Sequence, residues 1–292
     1  SVSLQQQIDN CLHGNYKLVF SAPERFLNSS FVEQLTKVKV ALIAVDEAHC
    51  ISEWGHDFRP SYRKLDELRK RFPKVPLMAL TASATPAVIK DMRSLLNLNQ
   101  AKNYVHSFER PNIAYKIWNT EDKFNTVVQL LKYHRGSSIV YCNTRKQTEH
   151  LAQYINQNGY KADFFHGGLL AEKKKEKLAT WQEGGIPHII ATTAFGMGID
   201  KADVRLVIHT QLPDSIENFY QETGRAGRDG KPARTYLLTY PGDAKALKSQ
   251  FLDRIPSKLD IKETYRDLCN FLQIAYGEGK DQLYSLDLKR FC

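Results

Sequence analysis

Val40-Ala41-Leu42-Ile43-Ala44-Val45-Asp46-Glu47-Ala48-His49 is the stretch that decides the fold of this chain. Six apolar residues in an unbroken run read as a strand buried on both faces of a parallel sheet. Two adjacent carboxylates at its carboxyl end lie where an open α/β sheet presents groups to a ligand. One acid to hold Mg²⁺ and a second to orient water are what nucleoside-triphosphate hydrolysis needs. An acidic pair after a strand also suits the dipole of a following helix, so these four residues need support from the rest of the chain.

Outward from this stretch, short apolar runs alternate with amphipathic ones. Lys17-Leu18-Val19-Phe20 and Leu77-Met78-Ala79-Leu80 read as further strands, and residues 62–72 and 86–96 as helices. This alternation predicts a parallel sheet with crossover helices over residues 1–106. At Ser107-Phe108-Glu109-Arg110-Pro111-Asn112 the period breaks and proline fixes an extended connection, so residues 107–118 are expected to be a linker. The alternation resumes over residues 119–242, with helices at 121–134, 145–156 and 171–183 and strands at 138–142, 161–165, 188–192, 204–208 and 233–238. Residues 243–292 turn mostly helical and read as the start of an accessory region. The expected fold class is α/β, with two parallel-sheet domains followed by this helical extension.

Composition narrows the class of protein. The 292 residues are 42% hydrophobic and 25% charged, ordinary for a globular protein of two medium domains. No run of eighteen apolar residues occurs and Ser1-Val2-Ser3-Leu4 opens no secretory pattern, so neither a membrane partner nor export is expected. A cytoplasmic or nucleoid location is the expectation, nuclear in a eukaryote. Cys11, Cys50, Cys142, Cys269 and Cys292 form no C-x-x-C pair, so zinc is not indicated. A net charge of +9 favours a polyanionic partner.

Three further stretches carry chemistry. Thr81-Ala82-Ser83-Ala84-Thr85 places three hydroxyls just after a strand, where they can bridge a nucleotide-sensing acid to a neighbouring domain or simply cap the next helix. Thr192-Thr193-Ala194-Phe195-Gly196-Met197-Gly198-Ile199-Asp200 repeats the arrangement, its glycines allowing close approach to a phosphate or sugar. Gln221-Glu222-Thr223-Gly224-Arg225-Ala226-Gly227-Arg228-Asp229-Gly230 projects two guanidinium forks from one face of a turn, suited to charge developing on a transferred phosphoryl group. Between Cys50 and Pro60, Trp54, His56, Phe58 and Arg59 interleave rings with a cation, as stacking on unpaired bases requires.

The acid motif followed at once by the Trp54/Phe58/Arg59 loop, together with segments 194–200 and 221–230, resembles the RecQ-type superfamily-two DNA helicases over nearly the whole chain. The resemblance implies two RecA-like motor domains, ATP and Mg²⁺ as cofactors, and single-stranded or partly duplex DNA as partner in recombination and repair. It implies that Asp46 holds Mg²⁺ through water, that Glu47 polarises the attacking water and that His49 relays nucleotide state towards Ser83 and Gln221. Arg225 and Arg228 are implied at the γ-phosphate, Arg228 as principal finger, with Gly198 and Asp200 near the ribose. Trp54, Phe58 and Arg59 are implied to couple DNA engagement to hydrolysis, with His56 supporting their loop. Pro23 and Arg25 of Ser21-Ala22-Pro23-Glu24-Arg25 are similar to the family's strand-contacting segment. So are Asn143, Thr144 and Arg145, Thr192 and Thr193, and the His166-Gly167-Gly168-Leu169 stretch.

The family's glycine-rich loop ending in Gly-Lys-Ser or Gly-Lys-Thr is absent, since neither Gly167-Gly168 nor Gly184-Gly185 is followed by lysine and a hydroxyl. By this resemblance Ser1 aligns inside an N-terminally truncated first motor domain. The expectation is that the chain alone lacks ATPase activity and exposes apolar faces, unless a separate polypeptide fills the place. Two other readings are a catalytically dead nucleic-acid-binding or interaction module that has lost its phosphate loop, and an RNA helicase of the related acid-motif families.

Overall fold

The computed structural model describes residues 4–53, 58–196, 199–251, 255–280 and 282–291. Helices α1 (Leu4–Leu12) and α2 (Ser29–Thr36) precede strand β1 (Ile43–Val45), which is followed by α3 (Asp66–Arg71), β2 (Leu77–Ala79) and α4 (Pro86–Leu95). β1 and β2 pair in parallel, Val45 opposite Ala79. Their core gathers Val45, Ile51, Leu65, Leu68, Val88 and Leu96. The expected helix over 62–72 is split: a 3-10 turn spans Pro60–Leu65 and α3 follows. In a 3-10 turn residues three apart eclipse, and here Tyr62 and Leu65 both face the core.

Lys17-Leu18-Val19-Phe20 forms no strand, contrary to the sequence expectation. The sheet among the described residues holds only β1 and β2, so this apolar run has no neighbour to pair with, and Phe20 is 89% exposed. Leu42, Met78 and Leu80 are exposed as well.

Residues 113–118, expected within the linker, belong to strand β3 (Ile113–Asn119) at the edge of a second sheet. The alternating β-branched and aromatic residues of Ile113-Ala114-Tyr115-Lys116-Ile117-Trp118 favour an extended ladder once the constraint of Pro111 is past. The chain continues through α5 (Lys123–Tyr133), β4 (Ser137–Tyr141), α6 (Arg145–Gln157), β5 (Ala162–Phe165), α7 (Ala171–Gln182), β6 (His188–Ala191), β7 (Val204–His209), α8 (Ile216–Thr223) and β8 (Ala233–Thr239). All pairings are parallel, in the order β3-β8-β7-β4-β6-β5.

Every residue of β4 and β6 is buried, as central parallel strands require. The pleat sends Val140, Ile190 and Ile208 to a core shared with α5 and α6. Ile139, Tyr141, Ile189 and Val207 face the opposite core, built on Trp181 and Phe195. Because β6 and β7 lie on either side of β4, the chain reverses its direction of progression there, leaving a crevice at the carboxyl ends of these strands. Helices α9 (Asp243–Phe251), α10 (Lys258–Leu272) and α11 (Leu288–Phe291) form the extension, α10 starting from a capping box of Ser257 and Asp260.

Candidate active site

The acid motif is held by its own backbone. Leu80 N donates to Val45 O (2.8 Å) and Ala48 N to Leu80 O (2.9 Å), so the ends of β1 and β2 fix where the acids emerge. Glu47 adopts left-handed φ 48° and ψ 42°, a conformation uncommon outside glycine and asparagine, and Asp46 Oδ1 accepts from its amide at 2.9 Å. The Tyr62 hydroxyl donates to Asp46 O at 3.3 Å, and burial, with Cys50 nearby, pushes its pKa up to about 12, so it remains a donor.

A chain of polar contacts leads away from these acids. His49 is buried, its Nδ1 2.9 Å from Thr81 Oγ1 and 3.4 Å from Glu47 Oε2. Thr81 Oγ1 donates to Ser83 O (3.1 Å) and accepts from Ser83 N (3.2 Å). With that hydroxyl proton committed to a carbonyl, the His49 proton belongs on Nδ1, which then donates to Thr81. Gln221 Nε2 donates to Ser83 Oγ across the cleft at 3.4 Å. His49, Ser83 and Gln221 are thus linked through Thr81.

The opposite wall carries the arginines. Arg228 Nη1 donates to Ile199 O (3.0 Å) and Asp200 Oδ1 (2.8 Å), so the expected finger is paired to the expected ribose contact. Arg225 lies deeper, beside the buried Tyr141 hydroxyl, whose pKa is raised by burial. Its Nε is buried and has no hydrogen-bond partner among the described residues. A buried cationic donor without an acceptor fits an anionic ligand. Below it His209 Nε2 meets Glu222 Oε2 at 2.7 Å, and Tyr141 stacks on the His209 ring at 5.1 Å. This buried frame holds α8 in place. His209 sits in an ordinary apolar strand and Glu222 beside a conspicuous arginine pair, so no local pattern marks that they meet.

Glu47, His49, Gln221, Arg225 and Arg228 line one open cleft of about 1770 Å³ between the two sheets. That exceeds the size of pockets that enclose small ligands, roughly 300–1,000 Å³. Asp46 is exposed at the strand end with one oxygen held by its own motif. A hydrated Mg²⁺ asks for one or two carboxylates besides phosphate oxygens, which suits this residue.

The residues expected to touch nucleic acid fall into two groups. Pro23 and Arg25 belong to a 3-10 turn, Pro23–Leu27, that packs on Pro60–Leu65, with Ser61 Oγ donating to Glu24 Oε1 at 2.9 Å. Arg59 caps the second turn, its amide donating to Cys50 O (2.9 Å), and Phe58 lies under Arg63 at 5.3 Å. Trp54, His56 and Gly198 lie outside the described residues. On the second sheet, Asn143, Thr144 and Arg145 follow β4, His166 to Gly168 follow β5, and Thr192 and Thr193 follow β6. Neighbouring strands thus deliver all of them to one edge. Thr144 Oγ1 caps α6 by accepting from Gln147 N (3.2 Å), and the Arg145 guanidinium lies so close to Gly168 that an added Cβ would sit 2.7 Å from Nη1. His166 Nε2 meets Glu149 at 2.9 Å.

The family model described as DEAD/DEAH box helicase matches residues 1–92, and that of the helicase conserved C-terminal domain matches residues 122–230. The ATP-dependent DNA helicase RecQ of Pasteurella multocida is 42% identical over 255 residues, covering 86% of this chain and 40% of that protein. The probable ATP-dependent DNA helicase RecS of Bacillus subtilis is 45% identical over 232 residues, covering 78% of this chain and 47% of that protein. The chain thus spans less than half the length of these relatives. Among solved structures, Mycobacterium smegmatis helicase Lhr bound to ssDNA and AMP-PNP superposes with a TM-score of 0.65 at 21% identity, covering 91% of this chain and 38% of that one. Saccharomyces cerevisiae Dbp5 bound to RNA and ADP BeF3 gives 0.59 at 19% identity, covering 76% and 61%; both likenesses show the two RecA-like domains as a fold. With both motor domains matched and the acid, hydroxyl and arginine motifs facing one cleft, the chain belongs to the RecQ-type family of superfamily-two helicases.

Proposed function

We propose that this chain supplies the water-orienting and charge-neutralising groups of an ATP-driven enzyme that unwinds DNA in the 3′ to 5′ direction during recombination and repair. The contact that carries the reading is the polar chain from His49 through Thr81 and Ser83 to Gln221, because it joins an acid motif on one domain to an arginine-bearing helix on the other. Glu47 accepts a hydrogen bond from the attacking water and aligns it. Gln221, held by Ser83, brings α8 towards the acids as the cleft closes. Arg225 donates its unpartnered Nε–H, and Arg228, released from Asp200, adds a second cation against the γ-phosphate oxygens. Asp46 would hold Mg²⁺, and the ion when bound would neutralise phosphate charge. Asp200, once free of Arg228, turns to the ribose with Gly198.

Trp54, Phe58 and Arg59 leave the acid motif directly, so a base stacked on them is felt at Glu47. Arg59 lines the same cleft as Glu47, which supports that coupling. The edge formed by Asn143 to Arg145, His166 to Gly168, Thr192 and Thr193 follows the sugar-phosphate backbone, with Pro23 and Arg25 on the first domain.

The 292 residues contain no Gly-Lys-Ser or Gly-Lys-Thr loop, so the phosphate cradle has to come from outside them and the chain alone does not turn over ATP. Supplied in one polypeptide or by a second, that loop restores hydrolysis. In the hydrolysis-competent protein, single-stranded DNA stimulates turnover more than RNA, and Glu47→Gln lowers stimulated turnover by about 10²- to 10⁴-fold while nucleotide still binds. Equal or greater stimulation by RNA would overturn the substrate, and retained turnover in Glu47→Gln would overturn the mechanism.

A further inference from the structure

The segment that joins the two motor domains grips the arginine loop. Arg110 donates from Nη1 to Gly224 O (3.3 Å) and from Nη2 to Ala226 O and Gly227 O (3.2 Å each). These carbonyls lie at and just beyond the carboxyl end of α8, where helix carbonyls lack intrahelical partners and a cation is favoured. Asn112 Nδ2 donates to Gly227 O (2.8 Å) and Lys231 O (3.0 Å). Gly227 has φ 56°, and a Cβ there would lie 2.5 Å from Asn112 Nδ2, so the turn admits the asparagine only because it is glycine. Earlier in the same segment, the Phe108 ring meets Tyr220 edge to face at 5.5 Å, and the Tyr220 hydroxyl donates to Phe108 O at 2.6 Å.

The loop is also held from its own domain. Arg205 of β7 pairs with Asp229 at 2.5 Å and donates to Ala202 O and Pro232 O. The two clamps differ in what they can transmit. Arg205 belongs to the second sheet and moves with it, whereas Arg110 belongs to the one stretch of chain that crosses between the domains.

We propose that Arg110 and Asn112 are positioning residues for the Arg225/Arg228 pair, so that relative movement of the two domains is delivered to these cations through the connecting chain itself. Arg110 acts through backbone carbonyls and touches no reacting atom. Arg110 reaches the three carbonyls from two nitrogens held in one rigid plane, whereas lysine keeps the charge but gathers its donors on a single nitrogen and loses that grip. The catalytic half of this inference rests on the proposed function; the positional half does not.

The test has two arms. In the 292-residue chain without nucleotide, Arg110→Lys is expected to speed amide exchange of residues 225–230 by about tenfold, with β4 and β6 unchanged. If exchange rises throughout, Asn112→Ala, which removes two bonds rather than three, carries the same measurement. Unchanged exchange at 225–230 in a folded variant overturns the positioning role. In the hydrolysis-competent protein Arg110→Lys is expected to lower kcat by about tenfold, with KM for ATP and single-stranded DNA affinity held. Loosened exchange with an unaltered kcat overturns the link to the reaction. Arg228→Ala, run alongside, tests the proposed function separately: full turnover there fails that reading and leaves the positional result standing.

Discussion

The two sheets present chemistry in the same place and support it differently. Both place site residues at the carboxyl ends of parallel strands, and the second adds Gln221 and the arginine pair from α8 and the turn after it. In the second domain those residues stand on six strands and on cores against both faces, with Trp181 and Phe195 fully buried. In the first, two three-residue strands carry the acids and the hydroxyl motif, and Met78 at the centre of β2 is 42% exposed. The acids are therefore placed by local contacts, the Val45/Leu80/Ala48 backbone bonds and the His49–Thr81–Ser83 chain, whereas the arginines are placed by a packed frame. The wall that carries the acids is thus lightly framed and the wall that carries the arginines stiffly framed.

The largest effect that follows is on stability. Trp181→Ala is expected to cost the second domain about 3 to 5 kcal/mol, while Met78→Ser costs the first within about 0.5 kcal/mol, read from each domain's denaturant midpoint. Comparable losses would mean that the exposed face of β2 is covered in solution and would remove the contrast between the domains.

How far the sequence showed this contrast depends on where each signal lives. Unbroken apolar runs such as Ser138 to Cys142 and His188 to Thr192 announced buried strands within a residue of their observed ends, because a strand covered on both faces writes its burial into every position. Lys17 to Phe20 carries a similar signal and forms no strand, because pairing depends on a neighbour that no local pattern encodes. The same limit applied to β3: Pro111 masked a strand whose identity is fixed by its register with β8. Among site residues, the acid and hydroxyl motifs were legible as residue types at strand ends and the arginine pair as cations in a glycine-bounded turn. Thr81 as the link, Glu222 against His209, and Arg110 against the α8 carbonyls were not, since each is a contact between segments 13 to 117 residues apart or a choice among neighbouring hydroxyls.

Acid sensitivity separates the two domains further. His188 is buried beside Ser138, Nδ1 to Oγ 2.9 Å, and burial pulls its pKa down to about 4. The unfolded chain takes up a proton near the ordinary histidine value of about 6.5, which the folded domain refuses until about pH 4. Unfolded chains bind more protons across that window, so stability is full above it and falls as pH drops from about 6.5 towards 4, by up to about 3 kcal/mol, with no further loss from this group below it. The decline belongs to the second domain. His188→Gln should flatten it relative to the parent chain, and an unchanged slope would place the acid sensitivity elsewhere.

The smallest effect separates folding from binding at one residue. Thr144 Oγ1 accepts from Gln147 N as the cap of α6, which occupies a lone pair and leaves the hydroxyl proton free to donate. Capping α6 and contacting a phosphate are therefore compatible for the same hydroxyl. Thr144→Ala is expected to lower stability by about 1 kcal/mol and to weaken single-stranded DNA binding, while Thr144→Ser restores both. If alanine lowers the midpoint and leaves DNA affinity intact, Thr144 serves the helix alone, and the nucleic-acid edge of the second sheet contracts to Asn143, Arg145 and the residues after β5 and β6.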